Sequence, residues 1–229
     1  MQGIVIRNTG NSYVVRLEAG DEVSCKVKGN FRLKGIRTTN PVAVGDCVFV
    51  DFAEGGADTY YITKVAQRRN YIIRRASNLS KESHIIAANI DIAVLVATVS
   101  HPTTSTTFID RFLATAEAYG VTAALVFNKI DLLDEDWLEY LDAISYLYRS
   151  IGYKVLHCSA VHGDGLDVLR EYLQGKTALF AGNSGVGKTT LLNVLVPGID
   201  AKTAALSDAH DTGMHTTTFS AMYDLPGGG

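Results

Sequence analysis

Eight residues near the C-terminus, GNSGVGKT at 182–189, constrain the fold of this chain more than any other feature. They follow the apolar run 177–181, which predicts a strand, and they lead into 188–195, which predicts a helix. A glycine-rich turn in this position can point backbone N–H groups at phosphate oxygens, and the N-terminus of the helix adds a favourable dipole. The pattern therefore predicts a phosphate-binding loop.

The side chains of this loop indicate how it would hold a nucleotide. Lys188 can reach the β- and γ-phosphates, and the Thr189 hydroxyl can coordinate Mg²⁺. An ordinary glycine-rich turn is the alternative, but the flanking strand and helix are what phosphate binding requires. We expect the following residues of this segment to bind the nucleotide: Gly182, Asn183, Ser184, Gly185, Val186, Gly187, Lys188, Thr189 and Thr190.

A second motif, NKID at 128–131, follows the apolar run 123–127 and so stands at the C-terminal end of a buried strand, where open α/β sheets bind ligands. The Asp131 carboxylate can accept hydrogen bonds from the N1–H and the exocyclic amine of guanine, a donor pair that adenine lacks. Asn128 can contact the base or tie this loop to the phosphate loop, and Lys129 can lay its aliphatic stem along the ring. An ordinary strand-to-helix loop is the alternative, which the phosphate loop disfavours.

The order of these motifs is reversed relative to most GTPases, in which the phosphate loop precedes Asn-Lys-x-Asp. Here NKID comes first, then a predicted strand over 154–157 followed by Ser159 and Ala160, and only then the phosphate loop. With its β-rich N-terminal region and GMHTTT at 213–218, the chain resembles the ribosome small-subunit-dependent GTPase A family, whose GTPase domain is circularly permuted. The resemblance covers essentially the whole chain.

This resemblance implies a GTP hydrolase that acts in late maturation of the small (30S) ribosomal subunit, with GTP or GDP and Mg²⁺ bound. It also implies that the backbone of Ser159 and Ala160 contacts the guanine oxygen, and that the partners are the small ribosomal subunit and its rRNA. A non-catalytic RNA-binding assembly factor that senses GTP or GDP is the alternative. An ATP-dependent kinase is disfavoured by NKID.

A switch loop is expected over 199–218, where many Thr, Asp and His residues show no helical or strand period. The sequence contains no Asp-x-x-Gly-Gln, the motif with the water-orienting glutamine of Ras-like GTPases, and the resemblance implies that His215 assists hydrolysis instead. A surface histidine is the alternative. One of three consecutive threonines is expected to supply a second hydroxyl to Mg²⁺, and Thr217 is favoured.

The last residues are expected to form a strand over 219–225 and a turn at Pro226-Gly227. We reject Asp224 as the γ-phosphate-sensing aspartate because it adjoins this turn and does not follow a buried strand. The resemblance implies that the strand with that aspartate, and a Cys/His segment that binds Zn²⁺, come after Gly229. These 229 residues alone are therefore expected to bind guanine nucleotide poorly.

The N-terminal region contains five short predicted strands with glycine-rich turns, which favours a small Greek-key barrel. An OB-fold is the favoured candidate, partly because of the resemblance, and an SH3-like barrel would give much the same pattern. The predicted fold class is an all-β OB-like barrel joined to an α/β P-loop GTPase domain. We assign 1–66 to the RNA-binding barrel, 67–84 to a linker and 85–229 to the circularly permuted GTPase domain.

Charge is distributed unevenly along the chain, whose formal net charge is −3. Residues 1–75 carry 12 Lys and Arg against 7 Asp and Glu, whereas the remaining residues carry 9 against 17. This segregation favours contact between the basic part and RNA phosphates, with a solvated basic face as the alternative. The predicted RNA contacts are Arg32, Lys34 and Arg37. A second basic group comprises Arg68, Arg69, Arg74 and Arg75.

Composition indicates a globular cytoplasmic protein with no membrane partner. With 47% hydrophobic residues, the 229 residues can bury one large core or two modest ones. No apolar run reaches the roughly 18 residues of a membrane span. Cys25, Cys47 and Cys158 are odd in number and widely spaced, which argues against a disulfide framework and against a metal site. A monomer is expected.

Overall fold

The computed structural model describes residues 1–8, 12–27, 41–52, 59–75, 83–199 and 220–229. These residues form two compact units, which are described separately below. The first unit comprises the described residues up to Asn89 together with 220–223, and the second begins at Ile90 and includes 224–229.

The first unit contains a closed five-stranded barrel. Its strands are β1 (Gln2–Asn8), β2 (Tyr13–Leu17), β3 (Glu22–Val27), β4 (Cys47–Phe52) and β5 (Tyr60–Val65). They pair in the order β1-β2-β3-β5-β4, and β4 closes the barrel by pairing with β1. All neighbours are antiparallel except β3 and β5. The prediction of an OB-like all-β barrel is confirmed.

Alternation along the strands builds the barrel core. In β4, Val48 and Val50 are fully buried whereas Phe49 between them is exposed, as the period of two in a strand requires. Val5 of β1 and Ile62 of β5 are also fully buried and pack in the same cluster. The apolar positions of short, individually weak strands therefore converge on one interior.

A two-stranded antiparallel sheet follows the barrel, formed by β6 (Tyr71–Arg75) and β7 (Ser83–Ala88). Strand β6 lies within 67–84, which the sequence analysis assigned to a linker, so the linker assignment was wrong for these residues. The segment is rich in Arg, Ser and Asn, a composition typical of a linker. Its short apolar run Tyr71–Ile73 is nevertheless part of the strand that pairs with β7.

The second unit is a parallel α/β sheet with the strand order β10-β9-β8-β11. Its strands are β8 (Ile92–Ala97), β9 (Thr122–Phe127), β10 (Lys154–His157) and β11 (Ala178–Ala181). Its helices are α1 (Thr106–Ala118), α2 (Glu135–Ser150), α3 (Leu166–Leu173) and α4 (Lys188–Leu195). All six residues of β8 are buried, as expected of a central strand with both faces covered. The predicted α/β domain is confirmed.

Side-chain caps fix where two of these helices begin. Ser105 accepts a hydrogen bond from the Phe108 N–H at the start of α1, and Asp134 accepts one from the Trp137 N–H at the start of α2. These caps set the ends of the loops that precede the helices. No described helix is long and apolar enough to cross a membrane.

The predicted strand at 219–225 is replaced by a short pairing with β1. Among the described residues of this segment, Ala221 forms an isolated antiparallel bridge with Arg7. The Met222 N–H donates to the Ile6 carbonyl at 2.8 Å, which extends the contact by one residue. The predicted turn at Pro226-Gly227 is present, with the Gly228 N–H donating to the Leu225 carbonyl at 3.0 Å.

Candidate functional site

The loops that follow the four parallel strands of the second unit meet at one edge of the sheet. These loops are 98–104 after β8, 128–133 after β9, 158–165 after β10 and 182–187 after β11. Because parallel strands place all their carboxyl ends on the same side, motifs far apart in sequence become neighbours there. The sequence motifs predicted to bind nucleotide occupy three of these four loops.

Glycine is required at two positions of the phosphate loop by close backbone approaches. A Cβ atom at Gly182 would lie 2.2 Å from the Val96 backbone carbonyl oxygen, and one at Gly187 would lie 2.4 Å from Nδ2 of the buried Asn128 side chain. Gly187 also has a φ of 91°, in the left-handed region. These contacts press the loop against its neighbours and leave its backbone free to curve ahead of α4.

The remaining residues of the phosphate loop differ in how deeply they are buried. Val186 is fully buried, whereas Ser184, Gly185 and Thr190 are exposed. The Lys188 ammonium donates to the carbonyls of Gly182 (2.9 Å) and Asn183 (2.8 Å), so it is held at the mouth of the loop. The predicted Mg²⁺ ligand, Thr189, is half-buried in the first turn of α4.

Asn128 joins three of the loops through its buried side chain. Its amide nitrogen donates to the Val186 carbonyl at 2.9 Å, and its amide oxygen accepts from the Ala160 N–H at 3.1 Å. Asn128 is only 3% exposed. Of the two roles considered for this residue from the sequence, tying the loops together is the one that the geometry supports.

The Cys158 thiol adds a further contact to the same amide oxygen. Its Sγ lies 3.5 Å from the Asn128 Oδ1, in a fully buried position. Burial, and to a smaller extent the nearby Asp131 charge, together raise the pKa of the Cys158 thiol to about 12, so the thiol stays protonated and can donate. No pattern in the sequence indicates this contact between Cys158 and Asn128.

Asp131 differs from its neighbours because one of its carboxylate oxygens is buried without a partner. Its Oδ1 is shielded from solvent and accepts no hydrogen bond from any residue that the structure describes. A buried carboxylate oxygen left in this condition is costly, and native structures usually satisfy such an atom. This oxygen is therefore available to a donor other than the residues that the structure describes.

Lys129, two positions before Asp131 in the chain, has a strained backbone conformation. Its φ of 66° is in the left-handed region, which a residue with a Cβ atom adopts at a cost. Its ammonium donates to the His101 carbonyl at 2.7 Å. The sequence analysis did not identify this loop, 98–104, as a neighbour of the site.

The Ser159-Ala160 pair is fixed by bonds within the protein. The Ser159 N–H donates to the Asp164 carbonyl at 3.0 Å, and the Ser159 hydroxyl accepts from the His162 N–H at 3.0 Å. The Ala160 N–H is used by Asn128. Both backbone N–H groups therefore hold the loop in shape, and a contact between this pair and guanine stays a prediction.

Several predicted residues lie outside the described part of the chain. They are the proposed hydrolytic residue His215, the second Mg²⁺ ligand Thr217, and the RNA contacts Arg32, Lys34 and Arg37. Within the described ranges, no group of three or more His, Cys, Asp or Glu side chains is arranged to hold a metal ion.

One member of the second basic group serves the barrel unit itself. The Arg68 side chain is 8% exposed and forms a bidentate ion pair with Asp46. Its Nε donates to Oδ1 at 2.6 Å and its Nη2 to Oδ2 at 2.7 Å. The assignment of Arg68 to a basic surface group was therefore wrong. The backbone of Arg74 and Arg75 belongs to β6.

Comparison with known proteins agrees with this geometry. The family model described as RsgA GTPase matches residues 65–229, and the one described as RsgA N-terminal domain matches residues 2–60. This chain belongs to the RsgA GTPase family. Among its relatives is the small ribosomal subunit biogenesis GTPase RsgA of Bacteroides fragilis, 58% identical over 229 residues, which are 100% of this chain and 73% of the relative.

Further RsgA relatives and solved structures show the same family features. The protein of that name from Porphyromonas gingivalis is 57% identical over 99% of this chain and 72% of its own length. The crystal structure of YjeQ from Thermotoga maritima superposes with a TM-score of 0.68 at 37% identity, covering 86% of this chain and 66% of that one. YloQ, described as a circularly permuted GTPase, gives 0.60 at 31% identity, covering 86% and 64%. The predicted circularly permuted GTPase fold is confirmed.

Proposed function

We propose that this RsgA-family protein hydrolyses GTP to GDP and phosphate with Mg²⁺, and that it does so in the cytoplasm during late maturation of the small ribosomal subunit. The observation that carries the proposal is the orphaned Asp131 Oδ1 at the carboxyl edge of a parallel sheet, beside a glycine-rich phosphate loop. Two relatives of this chain are named small ribosomal subunit biogenesis GTPase, which supports the same activity and partner.

The buried carboxylate supports guanine over adenine as the base. Asp131 would accept the N1–H and exocyclic amine of guanine, which supplies the missing partner of Oδ1. Adenine presents an acceptor at N1 and would leave the buried oxygen unsatisfied. Asn128 keeps the base-reading loop against the phosphate loop, and Lys129 lies beside the base with its stem. Ser159 and Ala160 complete the edge of the base site.

The phosphate side of the site relies on charge and on backbone N–H groups. Lys188 would exchange its two loop carbonyls for phosphate oxygens, and the loop from Gly182 to Thr190 would supply N–H donors. A bound Mg²⁺ would neutralise charge that develops on the phosphates, and the hydroxyls of Thr189 and Thr217 are its proposed ligands. His215 is proposed to assist the attacking water.

A test of this assignment compares binding and turnover in the full-length protein. Wild-type protein should bind GTP and GDP in preference to ATP, and small ribosomal subunits should stimulate phosphate release. Lys188→Ala should weaken binding of both guanine nucleotides or abolish turnover, because the phosphates lose their point charge. The matched control is Lys154→Ala, which removes an exposed lysine at the start of β10.

Three outcomes separate this proposal from its alternatives. Guanine-nucleotide binding without phosphate release, even with small subunits present, would indicate a non-catalytic sensor. A preference for ATP would refute the base-reading role of Asp131. Unchanged binding and turnover in Lys188→Ala would refute the phosphate-binding role of the loop.

RNA contact is proposed for the N-terminal barrel, through Arg32, Lys34 and Arg37. The basic balance of residues 1–75 supports this proposal. Replacing the three residues by alanine should weaken binding to small subunits. It should also reduce the salt dependence of that binding, because fewer counterions are released when fewer phosphates are contacted.

A control with the same loss of charge identifies any general electrostatic effect. The exposed residues Arg111, Lys154 and Arg170 of the α/β unit can be replaced by alanine together. This control should bind small subunits with the wild-type salt dependence. Equal behaviour of the two triple variants would show that the barrel loop is a solvated basic face.

A further inference from the structure

The loop 98–104, between β8 and α1, borders the nucleotide site and has no part in the function proposed above. Its ends, Thr98 and Thr104, are 1% and 4% exposed. The Thr98 N–H donates to the Thr104 hydroxyl oxygen at 3.1 Å, and the Thr104 N–H donates to the Thr98 carbonyl at 2.8 Å. Two reciprocal bonds between buried residues therefore close the loop at its base.

The inside of the loop is fixed by a third hydrogen bond. The Thr98 hydroxyl donates to the Pro102 carbonyl, across the turn that contains His101. Thr98 thus holds the loop at its base through its backbone and near its tip through its hydroxyl. His101 directly precedes Pro102, so this bond restrains the turn that contains the His101 carbonyl.

The carbonyl of His101 accepts the bond from the Lys129 ammonium at 2.7 Å. A bond from a charged donor is stronger than one between neutral groups. A lysine stem is long and flexible, so an acceptor fixed by the protein restricts it before any ligand arrives. The loop 98–104 therefore reaches the base-reading motif through one specific contact.

The same loop contacts the phosphate loop. A Cβ atom built at Gly185 would lie 3.4 Å from Cδ of Pro102, so the proline ring adjoins this exposed glycine. Gly185 has a φ of 82°, in the left-handed region that favours glycine. One short loop thus adjoins both halves of the nucleotide site.

We propose that the loop 98–104 positions Lys129 for guanine-nucleotide binding, with Thr98 and Thr104 as positioning residues that act through the His101 carbonyl. This inference rests on the proposed function, because it assigns a support to a residue of the base site. Restricting Lys129 in advance lowers the ordering cost at binding, which raises affinity without adding a contact.

The experiment is a double-mutant cycle on nucleotide affinity in the full-length protein. Thr98→Val keeps the shape of the side chain and removes the hydroxyl donor. We expect the Kd for GDP to rise by about threefold to tenfold. Thr98→Ser keeps the hydroxyl and should keep the wild-type Kd. The matched control is Thr115→Val, which removes a hydroxyl bond to the Arg111 carbonyl on the exposed side of α1.

The second arm of the cycle uses Lys129→Met, which keeps the stem and removes the ammonium. In that background Thr98→Val should change the Kd no further, because the contact through which it acts is already lost. An effect of Thr98→Val that is the same in both backgrounds would overturn the proposal, since it would report a general structural disturbance. The hydrolysis rate per bound GTP should be unchanged by Thr98→Val.

A second variant protects the test against a folding defect. Thr104→Val removes the acceptor of the Thr98 N–H and should give the same pattern as Thr98→Val. If neither variant folds, the proposal is overturned, because the hydrogen bonds of Thr98 and Thr104 would then be needed for folding itself. If the wild-type protein binds no guanine nucleotide, the proposed function fails. If it does bind and both variants match its Kd, this inference alone fails.

Discussion

The barrel unit and the α/β unit treat a buried carboxylate in opposite ways. In the barrel unit, Asp46 is fully buried and accepts two hydrogen bonds from the Arg68 guanidinium and one from the Ala43 N–H, at 2.6 to 2.8 Å. In the α/β unit, Asp131 keeps one buried oxygen for which no described residue supplies a donor.

This difference separates a structural carboxylate from a binding carboxylate. The desolvation cost of Asp46 is offset within the protein by a charged partner and a backbone donor. The cost at Asp131 Oδ1 is left in the free protein and can be recovered when a ligand donates to it. The first arrangement favours folding, and the second favours binding at the expense of folding.

The largest expected effect follows from breaking the satisfied carboxylate. Arg68→Met should lower the free energy of unfolding by about 3–5 kcal/mol, because it leaves the Asp46 charge buried and unpaired. Urea unfolding measures this quantity. The control is Arg16→Met, which breaks an exposed pair with Glu22 in the same barrel and should cost less than about 1 kcal/mol.

Guanine-nucleotide affinity of folded Arg68→Met protein should equal that of the wild type. A stability loss no larger than in the Arg16 control would contradict the assignment of the Asp46 network to folding.

The second prediction concerns the unsatisfied carboxylate and has the opposite pattern. Asp131→Asn should not lower the free energy of unfolding, because the Oδ1 oxygen loses no partner within the described protein and a neutral amide is less costly to bury than a carboxylate. Affinity for GTP should fall by at least about tenfold, since each hydrogen bond to a charged group contributes roughly 1.5–3 kcal/mol.

Xanthine nucleotides provide the decisive comparison for this variant. Xanthine carries a carbonyl where guanine has its exocyclic amine, so the amide at position 131 offers it a donor. Competition binding should therefore show that Asp131→Asn prefers XTP to GTP. The exposed Asp167→Asn serves as the control and should retain the wild-type preference. Equal GTP affinity in Asp131→Asn and wild type would exclude a base-reading role.

Much of the fold was accessible from sequence because its signals are local. The apolar runs 123–127 and 177–181 and the helix predicted over 188–195 match β9, β11 and α4 to within one residue. Strand β6 was not accessible, because its polar surroundings resemble a linker and its pairing with β7 is a longer-range interaction. The short pairing of Ala221 with Arg7 likewise depends on residues that are far apart in sequence.

The candidate site shows the same limit. NKID and the phosphate loop are contiguous motifs, so the sequence identifies Asp131 and Lys188 as residues that a nucleotide site would use. The sequence does not indicate that Lys129 donates to the His101 carbonyl, or that Arg68 is committed to Asp46. Such partners depend on the tertiary fold. Composition alone does not distinguish a lysine or arginine with a partner in the protein from one on the surface.

The smallest expected effect concerns His157, a partly buried side chain with one hydrogen-bond partner. It lies at the end of β10, half-buried, and shares a 2.7 Å hydrogen bond with the Ser145 hydroxyl. Burial lowers the pKa of His157 below its usual 6.5, the Arg149 charge lowers it further, and Asp142 acts in the opposite direction. The folded protein therefore keeps this imidazole neutral at a pH where the unfolded chain takes up a proton.

The sign of the pH dependence follows from this proton balance. Stability from neutral His157 is fully present above pH 6.5 and is lost as the pH falls toward the lower pKa of the folded state, because the unfolded state then binds more protons. Urea unfolding between pH 7.5 and pH 5 should show a steeper decline for the wild type than for His157→Gln, which cannot titrate. Carboxylates titrate in both proteins, so the difference between the two curves isolates the histidine. Parallel curves would show that His157 is as well solvated in the folded protein as in the unfolded chain.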